Sequence, residues 1–153
     1  MRMRILWLLP VMLAGCSSPE VPRTAVAARH APPVDESRNM PLENRVSTAL
    51  VDDHILDRLW LPGGTTAHYK TRSKEWDLIL VKADSPSTAA IWLLDYKNEL
   101  EGSKVVPSFG GFFGSDKGRP AFVFTKGAWF AAVMGLSEVD ADAVARPFAL
   151  RIH

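Results

Sequence analysis

The chain has 153 residues, of which 47% are hydrophobic, with 18 basic and 17 acidic side chains. Charge so nearly balanced excludes the strongly basic surface that binding to nucleic acid requires. The single cysteine, Cys16, excludes a scaffold held together by disulfides within the chain.

The first fifteen residues have the three parts of an export signal. Arg2 and Arg4 precede an apolar run, and the segment Leu13-Ala14-Gly15-Cys16 resembles the lipobox of bacterial lipoproteins. A membrane-spanning helix is the alternative, but the run contains Pro10 and is only about half of the roughly 20 residues that a span needs. We therefore expect residues 1–15 to be removed. Loss of Arg2 and Arg4 from 18 basic side chains leaves 16 against 17 acidic ones, a net charge of −1.

The lipobox resemblance implies that Cys16 becomes the first residue of the mature chain and carries a diacylglyceryl group on its sulfur. Further fatty acid, such as palmitate, would complete a stable anchor, because one acyl chain alone binds a membrane only marginally. Ser17 follows the cysteine where Asp would favour the inner membrane. By resemblance to lipoprotein sorting in Gram-negative bacteria, this indicates the outer membrane, on its periplasmic side.

A proline-rich segment follows the cysteine. Five of the eleven prolines fall between Ser17 and Pro41, among small and polar residues. Proline fixes φ and removes a backbone donor, which favours extended polyproline II. We therefore expect residues 16–41 to form the lipidated cysteine and its tether. Residues 42–153 then form a single domain, long enough to bury a core without disulfides.

The first third of that domain predicts a short helix and a β-hairpin. Asp52 and Asp53 are typical helix N-caps, and apolar residues follow them at i,i+4 spacing. Two apolar, partly alternating runs, at Thr65 to Arg72 and Trp76 to Ala83, indicate strands. The polar residues between the two runs predict the turn of the hairpin.

The clearest helix signal comes next. Ser85 is a typical N-cap, Pro86 suits the first helical position, and Gly102 suits the position just past the end. Apolar residues at helical spacing predict the buried stripe Ala89, Trp92, Leu93, Tyr96 and Leu100.

The last third predicts three strands and a second helix. The strand signals lie at residues 105–113, 121–125 and 128–134, with turn residues between them. Ser137 then opens a helix, with Asp140 in the third position of a near capping box.

Pro147 leaves two interpretations of the final residues open. In the first, the helix continues with a kink, and Phe148 and Ile152 extend its apolar stripe. In the second, the helix ends at Arg146, and the alternating Phe148, Leu150 and Ile152 form a strand.

These elements predict an α+β domain with the order β-β-α-β-β-β-α. We expect an antiparallel sheet of about five strands, with the two main helices on one face. The stretch from Thr65 to Ile152 also resembles an uncharacterised family of bacterial exported proteins. The residues that carry this resemblance are Asp84-Ser85-Pro86, the run Phe122-Val123-Phe124-Thr125-Lys126-Gly127 and the closing helix. The resemblance implies a fold and no mechanism.

A search for catalytic and metal-binding residues gives no site. The only cluster of acids and histidine is Asp52, Asp53, His54 and Asp57. It holds one histidine and no partner motif, so helix capping explains it better than a metal does. His68 and His153 have no visible partner. We therefore predict no catalytic residues, no metal, no cofactor and no enzymatic activity.

Glycines near Lys117 do not form a phosphate loop. Their spacing at positions 110, 111, 114 and 118 fits neither of the two common glycine-rich phosphate motifs. The sequence also contains no G-x-S-x-G motif of the kind that carries a nucleophilic serine.

The segment 109–114 is the candidate binding site. It carries three phenylalanines, Phe109, Phe112 and Phe113, separated by glycines that would let another backbone approach closely. Adjacent residues of a strand point to opposite faces, so a helix layer on one face would leave Phe112 or Phe113 exposed. The alternative is a strand beside a bulge with all three rings in the core.

Three functions agree with the sequence. The favoured one is a lipid-anchored module that binds an envelope protein, with contacts to the membrane through the anchor alone. The second is an immunity or inhibitor protein that acts against a periplasmic toxin or hydrolase. The third, for which the sequence offers least, is a small envelope hydrolase.

Overall fold

A computed structural model describes residues 31–153 of the chain. Within that range the structure has seven strands and two α-helices, together with short 3₁₀ turns at Ser37–Asn39 and Ile55–Asp57. In chain order the elements are β1 (Arg45–Asp53), β2 (Pro62–Lys70), β3 (Glu75–Lys82), α1 (Pro86–Glu99), β4 (Glu101–Val106), β5 (Gly111–Asp116), β6 (Arg119–Lys126), β7 (Trp129–Met134) and α2 (Glu138–Arg151).

All seven strands belong to one antiparallel sheet in the order β1-β2-β3-β7-β6-β5-β4. Two meanders, β1 to β3 and β4 to β7, meet where β3 pairs with β7, with Leu80 opposite Ala131. The predicted α+β class is confirmed. The predicted number of about five strands is wrong, and so is the predicted order, because the structure has β-β-β-α-β-β-β-β-α.

The expectation that both helices cover one face is also wrong, because each helix packs on its own face of the sheet. Leu78 and Leu80 of β3 join the cluster that holds Phe148 of α2. Ile79 and Val81, which point the other way, join the cluster that holds Trp92 of α1. Burial on both faces explains why β3 is apolar at every position from Leu78 to Val81.

Strand β1 was not predicted; it lies in the stretch before the predicted short helix, to which the sequence pattern assigned no element, and it ends on the residues predicted as that helix's caps. Its β-branched Val46, Thr48 and Val51 favour an extended chain. Asp52 and Asp53 form the end of this strand and cap no helix. The short 3₁₀ turn at Ile55–Asp57 is all the helix that follows.

The strand predicted at residues 105–113 is two strands in the structure. Strand β4 begins directly after α1, and a turn at residues 107–110 leads into β5. Gly102 therefore lies inside β4, at an irregularity of its pairing with β5, and its φ of 61° is one that glycine adopts without strain.

Both helix starts are confirmed. The Ser85 hydroxyl accepts a hydrogen bond from the backbone N of Thr88 at 3.1 Å, and that of Ser137 accepts from the N of Asp140 at 3.3 Å. Helix α2 continues through Pro147 to Arg151, so the alternative of a final strand is wrong.

The packed part of the chain begins before Leu42, the predicted start of the domain. Glu36 and Met40 are buried, and the backbone N of Glu36 donates to the Thr65 hydroxyl at 2.9 Å. The Tyr69 hydroxyl donates to the Pro41 carbonyl at 2.8 Å. This segment covers β2 on the α2 side of the sheet.

No helix within residues 31–153 is long and apolar enough to cross a membrane.

Candidate functional site

The α1 side of the sheet is covered unevenly, and an open groove results. Helix α1 packs against β5, β6 and β7, and leaves β1, β2 and part of β3 open on that face. The cavity there has a volume of about 360 Å³. We call it the sheet groove; its walls are Ser47, Ala49, Val51, Thr66, His68, Asp77, Ile79, Arg119 and Met134, with residues 54–57 after β1.

The sheet groove combines an apolar floor with polar groups at one end. Ala49 and Val51 of β1, Ile79 of β3 and Met134 of β7 supply apolar side chains. His68, Asp77 and Arg119 supply polar and charged groups at one end, and the loop wall adds His54 and Asp57. Mixed surfaces of this kind bind ligands or proteins, because apolar contacts supply affinity and a few fixed polar groups supply orientation.

Five side chains, in which carboxylates alternate with nitrogen-bearing groups, lie across three strands at the Asp77 end of the groove. Arg119 Nη2 lies 2.7 Å from Asp77 Oδ2, and Asp77 Oδ1 lies 2.7 Å from His68 Nδ1. His68 Nε2 lies 3.3 Å from Glu75 Oε1, and Glu75 Oε2 lies 3.2 Å from Lys70 Nζ. We call this set the charged row. Each member contacts the next, so the row forms one connected set of polar groups.

The contacts of His68 favour binding over nucleophilic catalysis. A histidine that activates a serine receives a carboxylate on one ring nitrogen and turns the other towards the hydroxyl. Ser47 is the cross-strand neighbour of His68 on β1. Both ring nitrogens of His68, however, lie against the carboxylates of Asp77 and Glu75. The ring is therefore part of a polar network with these two carboxylates.

The loop wall of the sheet groove is built from left-handed backbone. His54, Leu56 and Asp57 have φ values of 55°, 59° and 56°. Non-glycine residues rarely adopt this conformation, and each costs about 1 kcal/mol or more. Such strain persists only where surrounding contacts hold the loop in place.

A buried polar cluster behind the loop supplies those contacts. Arg58 Nη2 donates to Asp116 Oδ1 at 2.7 Å, and the Tyr96 hydroxyl donates to the other oxygen of Asp116. Arg58 also pairs with Glu99 and lies 5.2 Å above the Tyr96 ring. Only 7% of Arg58 and 8% of Asp116 are exposed. The cluster therefore joins the loop to α1 and to the end of β5.

The ionisation of this cluster follows from its burial. Burial raises the pKa of the Tyr96 hydroxyl, and the hydrogen bond and negative charge of Asp116 raise it further, so Tyr96 stays a neutral donor. Burial by itself would lower the pKa of Arg58, but the hydrogen bond and charge of Asp116, with the charge of Glu99, raise it on balance. Arg58 is therefore a permanent cation beside Asp116.

None of the described residues predicted as sites lines the sheet groove. Cys16, the predicted lipidation site, lies outside the described residues. Phe112 and Phe113 point to opposite faces of β5, as predicted. Because a helix covers each face, both rings are half-buried, Phe112 beneath Lys97 Nζ and Phe113 beneath Lys104 Nζ, each at 5.8 Å.

Phe109 has a similar environment in the turn before β5. Its ring is half-buried and packs against Phe122 and Phe124, with centroid distances of 5.3 and 4.9 Å. The packing of all three rings favours the core interpretation that the sequence allowed for residues 109–114.

The predicted cluster at residues 52–57 forms no metal site. Asp53 Oδ1 accepts from the backbone N of His54 at 2.9 Å, and its other oxygen lies 3.3 Å from His54 Nε2. Throughout residues 31–153, no three His, Cys, Asp or Glu side chains are placed to hold a metal. His153 contributes its backbone carbonyl, which accepts from Trp129 Nε1 at 3.1 Å.

Sequence reasoning missed the charged row because it depends on strand register. The predicted hairpin turn, Arg72 to Glu75, would have placed Ile79 opposite His68. The structure places the turn one residue earlier, so Asp77 lies opposite His68. A register change of this size changes which side chains meet. The polar Asp77 within an otherwise apolar strand was the available signal.

Comparison of the chain with protein-family models, with curated proteins and with solved structures found no match. The resemblances to bacterial lipoproteins and to an exported family therefore stay predictions from the residues quoted for them.

Proposed function

We propose that the protein is a lipid-anchored envelope protein that faces the periplasm and binds a partner protein through the sheet groove. The observation that supports partner binding is the open α1 side of β1 to β3, with its apolar floor and its charged row. The resemblance of residues 13–16 to a lipobox supports the lipid anchor and the location in the envelope.

The surroundings of the groove favour a protein as the partner. Strand β1, which forms one wall, is exposed along nearly its whole length. A molecule bound in the groove would therefore also contact the exposed side chains of β1. Protein partners use such wide surfaces, whereas a small molecule is mostly enclosed by its site. Arg119 and Asp77 present opposite charges at one end, which favours a partner that carries both signs.

The tether sets how far the groove reaches from the membrane. Because the packed chain begins at Glu36, the proposed free tether runs from residue 17 to residue 35. Fully extended as polyproline II, it spans roughly 60 Å at about 3.1 Å per residue. A partner in the periplasm is within that reach, so the domain need not lie on the membrane itself.

Two tryptophan substitutions on β1 test the groove. Ala49 is exposed and lines the groove, whereas Thr48 is exposed on the opposite face of the same strand. Affinity capture from detergent-solubilised envelopes should recover a partner with wild type and with Thr48→Trp. Ala49→Trp, which fills the groove, should lose that partner and keep the wild-type melting temperature within a few degrees. Equal recovery by all three proteins places the binding surface elsewhere.

A further inference from the structure

Strand β1 is an edge strand without a neighbour on its outer side in the part of the chain that the structure describes. It has nine residues, and its pairing with β2 is regular from Ser47 to Val51. Leu50 at its centre is 44% exposed, and Val46 is 61% exposed. An edge of this length offers unpaired backbone donors and acceptors to another strand.

The usual protections of an edge strand lie only at the ends of β1. The strand contains no proline and no lysine, and its register irregularity is confined to Arg45 and Ser47. Its acidic residues, Asp52 and Asp53, stand at the far end. The central residues are uncharged, so another strand can approach them.

We propose that β1 pairs with β1 of a second copy of this chain. The two strands run antiparallel about a two-fold axis through Leu50, and the two sheets become one continuous sheet. The pairs across the interface are then Leu50 with Leu50, Ala49 with Val51, Thr48 with Asp52, and Ser47 with Asp53. The proposal does not depend on what the sheet groove binds.

The sequence of β1 is complementary to itself in this register. Each acidic residue faces a hydroxyl that can donate to it, and no two carboxylates are opposite each other. The two Leu50 side chains bury one another at the axis. An axis one residue later would place Asp52 against Leu50, and would leave the carboxylate without a donor.

An axis one residue earlier is disfavoured by contacts within the chain. It would pair Asp53 with Arg45. The guanidinium of Arg45 already donates to the carbonyls of Ser37 and Met40, at 3.0 and 3.2 Å. Arg45 also lies beyond the register irregularity, where the strand departs from regular pairing.

The symmetry of this dimer suits two chains anchored in one membrane. An axis perpendicular to the sheet keeps equivalent surfaces on the same side. The buried segments at Glu36 to Met40 of both copies therefore lie on the same side of the joined sheet, the α2 side. Anchoring in one membrane raises the effective concentration of the two copies, so a modest interface suffices. The two sheet grooves lie together on the α1 side.

Oxidative cross-linking tests the register in the full chain, extracted in detergent from a bacterial host. Leu50→Cys places two cysteines at the axis, with Cα atoms about 4.5–5.5 Å apart, within the span of a disulfide. Thr48→Cys is the matched control, because its two copies lie roughly 14 Å apart along the strands. Wild type measures any background from Cys16. We expect at least about tenfold more disulfide dimer with Leu50→Cys than with Thr48→Cys. The double variant Thr48→Cys with Asp52→Cys should form disulfide dimer again, because these two residues are paired across the interface.

Sedimentation of the same extracts gives a second readout. Leu50→Lys places like charges at the axis and should weaken dimer association at least about tenfold. Val105→Lys, on the exposed part of the opposite edge strand β4, should leave it unchanged. Equal cross-linking of Leu50→Cys and Thr48→Cys overturns the proposal, as does a monomer in both experiments. A cross-linked adduct of Leu50→Cys with a different protein also overturns it.

Discussion

Asp116 is one of two carboxylates, with Glu36, that are buried in the described residues. It accepts hydrogen bonds from Arg58 and from Tyr96, and all three side chains are buried. A buried ion pair adds little over an apolar pair of the same shape, but loss of one member leaves an uncompensated charge in the interior. The cluster also fixes the loop that walls the sheet groove.

We predict that Asp116→Ala lowers the free energy of unfolding by about 3 kcal/mol, because Arg58 then stays buried without its main partner. Asp142→Ala is the control, since Asp142 pairs with Arg146 in an exposed i,i+4 bridge. That change should cost about 0.5 kcal/mol or less. Urea unfolding of both variants measures the difference. Equal decreases in the free energy of unfolding would show that the buried cluster contributes no more to stability than the exposed bridge.

At the scale of residues, the sequence predicted what depends on near neighbours in the chain. Ser85 and Ser137 were recognised as caps, because the cap hydroxyl and the backbone N–H that donates to it lie three residues apart. His68 and Asp77 were not recognised as partners. Their contact needs the register of a hairpin, and one residue of error in the turn replaces Asp77 by Ile79.

At the scale of elements, β5 shows how coverage of both faces of a strand decides which of its side chains are exposed. If helices covered only one face of the sheet, one of the rings of Phe112 and Phe113 would be exposed. With α1 on one face and α2 on the other, each ring packs against a core cluster. The candidate binding site of residues 109–114 thus depends on the arrangement of the helices.

We predict that Phe112→Ser and Phe113→Ser each lower the free energy of unfolding by about 1–3 kcal/mol, because each removes a half-buried ring. Val105→Ser, at an exposed apolar position of the neighbouring strand, should cost less than either. Thermal unfolding of the three variants checks this order. If one phenylalanine variant keeps full stability and loses the partner, that ring belongs to a binding surface.

The elements that sequence patterns predicted best are those with periodic burial. The central strands and both helices were placed within a few residues, because burial repeats along them. Strand β1 was missed because it is exposed on both faces, so its side chains carry no alternation. Strands β4 and β5 were merged because Val106, the last residue of β4, and Phe109 of the turn are both apolar and both pack against the core.

At the scale of the whole molecule, the α1 side of the sheet is covered over β5, β6 and β7 and open over β1, β2 and part of β3. The helices stabilise β5, β6 and β7, while β1 and β2 extend past them. The sequence predicted the α+β class but not this arrangement, because patterns identify a buried face without identifying what covers it. The proposed function follows from this open part of the α1 side together with the anchor, which would hold the protein in the envelope.

The anchor tests the account most directly, because a protein without it would have neither the proposed location nor the proposed access to envelope partners. Cells that express wild type, Cys16→Ala or Ser17→Ala are labelled with a tagged fatty acid. The account predicts label on wild type and on Ser17→Ala, and none on Cys16→Ala, which should also keep residues 1–15. Equal label on all three proteins, or none on wild type, would contradict it.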